Sequence, residues 1–172
     1  MTMNTSKYSR RFRTKHEEVP RIPSEKFLVF NVGNERYAIP LLRVLRVVKE
    51  FIPQGVLISG RSLVKEQNET IVIFDMASLF SSACHLSDCH FLIVCCLNDG
   101  SQLGFPIPDM PAILEVAHNQ FSEVPELYRQ GELSPAVERL IHVSESVIFY
   151  LNIDKLVRWV PSHPGVKELL HE

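Results

Sequence analysis

The sequence predicts an all-β fold built from two related halves, and three observations carry that expectation. Short runs of β-branched and aromatic residues recur along the chain, bounded by Asn, Asp, Gly and Pro. The first run returns with its turn and its following strand, at a repeat of about 60 to 75 residues, too long for most solenoid units. Helical periodicity is sparse. With 172 residues, 45% of them hydrophobic and 22% charged, the chain has apolar material for one compact domain or two small lobes sharing a core.

The repeat can be followed residue by residue. Phe27-Leu28-Val29-Phe30-Asn31-Val32 leads into the turn-like Gly33-Asn34-Glu35-Arg36 and then into Tyr37-Ala38-Ile39-Pro40. Phe91-Leu92-Ile93-Val94-Cys95-Cys96, Asn98-Asp99-Gly100 and Leu103-Gly104-Phe105-Pro106 follow the same order, and Val47-Val48 corresponds to Ile113-Leu114. Each half closes on a similar segment, from Ile71 to Phe80 and from Ile148 to Val157. Each half thus supplies roughly five short strands, too few for an open sheet covered on both faces but enough to close a small barrel. The expected lobes are 27–82 and 88–157, with strand exchange between them allowed. Short helices are expected at 76–80, 125–130 and 153–159, and irregular or edge backbone at Ile52-Pro53 and Asp109-Met110-Pro111. Residues 1–26, with Lys7, Arg10, Arg11, Arg13, Lys15 and Arg21, read as a flexible basic arm, and 161–172 as a tail.

Catalytic patterns are missing from the sequence. It has no phosphate-cradling glycine loop, no GxSxG elbow and no HExxH helix, so a non-catalytic role without a cofactor is expected. The formal net charge of -2 provides no global attraction for nucleic acid. No apolar run reaches the about 20 residues that span a bilayer, and no secretory signal is evident. The expected location is therefore the cytoplasm, where cysteines stay reduced. Cys84-His85-Leu86-Ser87-Asp88-Cys89-His90 offers two thiols and two imidazoles at the junction of the halves. Adjacent Cys-His pairs diverge in direction, which favours a linker over a zinc site, and Cys95 and Cys96 fall on opposite faces of a strand.

The segment FLVFNVGNERYAIPLLRVLRVV, Phe27 to Val48, resembles the opening of CheW domains, the coupling proteins of bacterial chemosensory pathways. LGFPIPDMPAILEV, Leu103 to Val116, is similar to the family's second-half signature, and IVIFDMASLF and IFYLNIDKLV resemble its lobe-closing segments. The resemblance covers about Phe27 to Trp159. It implies two SH3-like five-stranded β-barrels with a groove between them. It also implies an adaptor that joins the cytoplasmic tip of a methyl-accepting chemoreceptor to a CheA-type histidine kinase, without cofactor, nucleic acid or membrane insertion, at receptor arrays. The chain departs from the family pattern at two places. Lys65-Glu66-Gln67-Asn68 stands where members carry an Asn-Leu-Arg-Gly hairpin, and Arg46 occupies a position that is usually acidic, so the acid and the base that the family pattern lets face each other are here Arg46 and Gln67. The partner-facing positions carried over are Val44, Arg46, Glu66, Gln67 and Asn68, and the departures suit a divergent pathway such as twitching motility. Two other readings stay open: a metal or redox regulator using the cysteines between 84 and 96, and a membrane- or nucleic-acid-associated factor using the basic arm.

Overall fold

The computed structural model describes residues 20–57, 61–74, 85–130 and 136–159. The expected helix at 76–80, most of the basic arm, Cys84 and the tail lie outside the described residues. Among the described residues twelve strands are seen: β1 (Ser24–Val32), β2 (Glu35–Pro40), β3 (Val44–Lys49), β4 (Pro53–Leu57), β5 (Arg61–Glu66), β6 (Glu69–Phe74), β7 (Phe91–Cys96), β8 (Gln102–Ile107), β9 (Ala112–Ala117), β10 (Phe121–Ser122), β11 (Val137–Val143) and β12 (Ser146–Leu151). Among the described residues one α-helix, α1 (Ile153–Trp159), follows the last strand. The segment expected as a helix at 125–130 forms only a single 3-10 turn, Tyr128–Gln130.

The strands form two curled sheets, ordered β10-β11-β12-β2-β1-β9 and β3-β7-β8-β6-β5-β4. Each has one strand more than the five expected. The sheets do not follow the halves of the sequence. Hairpin β1–β2 pairs with the second half, its Val29 opposite Ala112 of β9 and its Tyr37 beside Phe149 of β12 in a parallel ladder. Hairpin β7–β8 pairs with the first half, through Ile93 opposite Val47 of β3 and Leu103 beside Val72 of β6, again in parallel. The duplication is therefore realised as a reciprocal exchange of hairpins, so the division at 82–88 separates stretches of sequence and not sheets. The chain makes each crossing at a proline-containing segment, Pro40 into the 3-10 turn Leu41–Arg43 and Pro108 to Pro111 ahead of β9. A proline cannot donate to a ladder, so pairing stops there and the strand can leave its sheet.

Both hairpins are apolar on both faces because each separates two cores. In β1, Phe27 and Val29 point into a core with Ala38, Val116, Ile141 and Ile148. Leu28, Phe30 and Val32 point the other way, into a second core. That second core is shared: it also receives Tyr37 and Ile39 from β2, Ile93 and Cys95 from β7, and Leu103, Phe105 and Ile107 from β8. The opposite face of β7 places Leu92 and Val94 in a third core with Val64, Ile71 and Ile73. The alternation is that of any strand, and the continuous run of buried residues from Phe27 to Phe30 reflects apolar matter on both sides. At roughly 1.5–3 kcal/mol per large aliphatic or aromatic side chain buried, the shared core is the main bond between the barrels.

Aromatic packing and local turns complete the frame. Tyr37, fully buried, lies 5.4 Å from the Phe149 ring, which stacks at the same spacing on Tyr128. The Tyr37 hydroxyl donates to Glu35 Oε2 at 2.6 Å, and burial raises its pKa well above the ordinary phenol. Gly33 holds φ +59° in the β1–β2 turn, a conformation that glycine adopts without steric cost. β1 begins at Ser24, inside the segment read as the arm, and Ser24 to Lys26 pair with Ala117 to Glu115.

Two measurements check this packing. A Cβ at Gly104 would lie 2.7 Å from Ile73 Cγ2 and 2.9 Å from Leu92 Cδ1, so Gly104→Ala is expected to destabilise the chain by about 1–3 kcal/mol in denaturant titration. Burial pushes the Cys95 thiol from its usual 9.0 up to about 12. The folded chain then holds this proton more tightly than the unfolded chain, so Cys95 favours folding below pH 9 and that contribution is lost as pH rises from 9 toward 12. Cys95→Ala is expected to flatten that part of the stability–pH curve, and Cys95 should be alkylated last among the described cysteines.

Candidate partner-binding surfaces

Two polar features stand at the rim of the shared frame, and each is assembled from segments distant in sequence. The first is the β5–β6 hairpin and its contact with β3. Glu66 and Glu69 are opposite each other across the turn, so Gln67 and Asn68 alone make the loop, with φ of +46° and +67°. Two consecutive positive φ values define the tight hairpin turn that suits right-twisted strands. Asn tolerates it, while Gln67 holds it against its side chain's preference. Both residues are exposed.

β3 brings Arg46 to this hairpin. Its Nε donates to Glu66 Oε2 at 2.8 Å and its Nη2 to Glu69 Oε2 at 3.2 Å. Gln102 Nε2 of β8 donates to the same Glu69 oxygen at 3.2 Å. The Arg46 pKa is raised, first by the hydrogen bond to Glu66. Glu66 is 18% exposed and Glu69 53%, so the first pair carries most of the energy, about 1 kcal/mol. One cation thus meets two carboxylates beside the exposed turn, with the exposed Lys65 next to Glu66 in β5. Leu45, at a register shift between Val44 and Arg46, is exposed on the same strand.

The second feature lies where β2 crosses into β3. A cleft of about 210 Å³ is lined by Pro40, Leu42, Arg43 and the stretch from Tyr150 to Asp154. Leu42 is 98% exposed, an aliphatic side chain with nothing over it. At the floor, Arg43 Nη2 donates to Asp154 Oδ2 at 2.6 Å. Asp154 belongs to the first turn of α1, whose start is set by Asn152: its Oδ1 accepts from Lys155 N at 3.0 Å, an N-cap bond.

The five carried-over positions fall unevenly on these surfaces. Arg46 and Glu66 meet directly; the family pattern sets position 46 against Gln67, but Gln67 is exposed at the loop. Asn68 is beside it. Val44 is half-buried against the shared core and opposite Cys95, away from the hairpin. Sequence reasoning missed Glu69, Leu42, Arg43 and Asp154. Asn152-Ile153-Asp154 does carry a helix-start signal, a capping Asn followed by an acid, but nothing local joins Asp154 to Arg43. Between His85 and His90 the chain makes a 3-10 turn, Leu86–Asp88, and the His90 N–H donates to Ile107 O. Among the described residues no group of three His, Cys, Asp or Glu side chains is disposed to hold a metal ion, and no helix is long and apolar enough to cross a membrane.

Two curled β-sheets, each completed by a hairpin from the other half of the chain and both packed on a shared core, define a two-lobed all-β domain. The CheW-like domain family model matches residues 26–160, and the chain belongs to that family. Its structure is similar to that of the scaffolding protein TtCheW from Thermoanaerobacter tengcongensis, with a TM-score of 0.64 and 16% identity over 76% of this chain and 90% of that one. No curated protein matches the chain significantly.

The ion pair can be tested by exchange of charges. Arg46→Glu, which gathers three carboxylates, is expected to destabilise by about 1–2 kcal/mol in denaturant titration. Arg46→Glu with Glu66→Arg should recover most of that loss.

Proposed function

We propose that the chain is a non-catalytic adaptor that couples the cytoplasmic tip of a chemoreceptor to a CheA-type histidine kinase. The observation that carries this reading is the family match over residues 26–160. A coupling role needs two separated surfaces on one rigid frame, and the chain has a hairpin with an exposed turn on one sheet and an aliphatic cleft at the crossing between sheets. The reading places the protein in the cytoplasm, recruited to receptor arrays, and acting without a cofactor. Val44, Arg46, Glu66, Gln67 and Asn68 are its partner-facing residues, to which Leu42 of the cleft is added.

The polarity of the hairpin supports a divergent pathway, such as twitching motility. A cation on β3 with carboxylates on the hairpin presents a partner with the reverse of an acid on β3 with an arginine on the hairpin. Charge complementarity selects partners chiefly by penalising mismatched ones, so such a chain is suited to its own kinase and receptor.

The test is a pull-down from extract with the intact chain, Leu42→Asp, and the charge-exchanged Arg46→Glu/Glu66→Arg pair, with bound proteins identified by mass spectrometry. A CheA-type kinase and a chemoreceptor are expected with the unaltered chain, and each variant should weaken one of them about tenfold, the equivalent of about 1.4 kcal/mol. Leu42 is exposed, so a loss at that position reports a contact and not misfolding. Recovery of neither partner by the unaltered chain would overturn the reading.

A further inference from the structure

Arg43 ends the segment that carries the chain from one sheet to the other, and its guanidinium is shared between them. Nε donates to Cys96 O at 2.9 Å, Nη1 to Asn98 Oδ1, and Nη2 to Asp154 Oδ2 at 2.6 Å. The remaining Asp154 oxygen accepts from the Asn98 backbone N–H at 2.9 Å. Cys96 and Asn98 belong to the end of β7 and the loop after it, in the second sheet. Asp154 belongs to α1, which follows β12 of the first. Both oxygens of one carboxylate are thus held by groups of the other barrel, at 15% exposure for Asp154 and 27% for Arg43.

The helix side of this contact is firmly built. Asn152 N donates to Ala136 O at 2.8 Å, Asn152 Nδ2 donates to Glu138 Oε2 at 2.7 Å, and Ile153 and Leu156 are buried in the shared core. The other side is also short of slack: Leu97 N donates to Ser101 O at 2.9 Å and Gly100 N to Leu97 O at 3.0 Å within the β7–β8 loop. Two stiff pieces are therefore joined by one planar fork with three acceptors. A lysine would keep the charge and lose that geometry, since an ammonium cannot serve three fixed acceptors in one plane.

The geometry points to Arg43, Asp154 and Asn98 as an inter-barrel latch: it fixes α1 against the β7–β8 loop and thereby sets the shape of the cleft that Arg43 and Asp154 also line. The latch rests on the adaptor reading for its purpose. Arg43 is followed without an intervening residue by β3, which carries Arg46 to the hairpin. A partner that enters the cleft and disturbs the fork moves the start of β3, so occupancy of the cleft and of the hairpin surface is coupled, in both directions.

Amide hydrogen exchange on the full chain tests the latch without any partner. In Arg43→Lys and in Asp154→Ala, exchange at Asn98 and across residues 154–158 is expected to accelerate by about tenfold or more, while Phe105, Ile148 and Leu92, one in each of the three cores, keep their rates. Uniform acceleration, or none, would overturn the latch, because the contact would then be ordinary stability or nothing. The coupling is read by titrating a soluble chemoreceptor-tip fragment with and without the regulatory domain of a CheA-type kinase. The two should alter each other's affinity on the unaltered chain and bind independently on Arg43→Lys. Independent binding on the unaltered chain would overturn the coupling. Absence of binding by either fragment would overturn the adaptor reading instead, with the exchange rates still deciding the latch.

Discussion

The shared core between the hairpins β1–β2 and β7–β8 is the constraint on which the rest of the structure depends. Leu28, Phe30, Tyr37 and Ile39 from one hairpin pack in the same core as Ile93, Cys95, Leu103 and Phe105 from the other. Because each hairpin belongs to the sheet built by the other half of the chain, neither barrel can be completed from one half alone. The exchange therefore makes the two barrels a single cooperative unit. It also explains why so few positions in these strands are polar: both faces are covered, and an unpaired polar group there would cost about 1–3 kcal/mol.

The two arginine clusters lie at the rim and are used for position. Arg46 ties β3 to the far end of the β5–β6 hairpin, and Arg43 ties the crossing segment to α1. Each arginine serves acceptors on more than one element, which a planar, permanently charged fork does well. The two are three residues apart on either side of the register shift in β3, so the strand that begins in the cleft ends its polar run at the hairpin. This continuity gives two surfaces a common mechanical element.

The strands, the hairpin turns and the alternation of faces were legible in the sequence because they are local. The run from Phe27 to Val32, the Gly33 turn and the repeat at Phe91 each carry their own signal. The tight turn at Gln67-Asn68, where only two residues separate the strands, was reached through the family resemblance instead. The split of Cys95 and Cys96 follows from the pleat alone: Cys95 is fully buried and Cys96 is not. The candidate surfaces were only partly legible. Position 46 and the hairpin could be singled out through family resemblance, yet the partner of Arg46 is Glu66 and not Gln67, because in a two-residue loop the turn residues point away and the flanking pair faces the sheet.

By itself, then, the amino-acid order determined the β elements, their turns, the duplication and the family. Those properties depend on side-chain period and on backbone preference over a few residues. Only the tertiary structure decided which half supplies which hairpin, because any apolar strand of suitable length can satisfy the ladder of another, and the choice is made by the packing of both faces at once. The same holds for the meeting of Arg43 with Asp154, 111 positions apart. Neither residue's neighbours in the chain announce the other, and the contact exists because two barrels built from exchanged hairpins bring a crossing segment and a terminal helix to one edge of a common core.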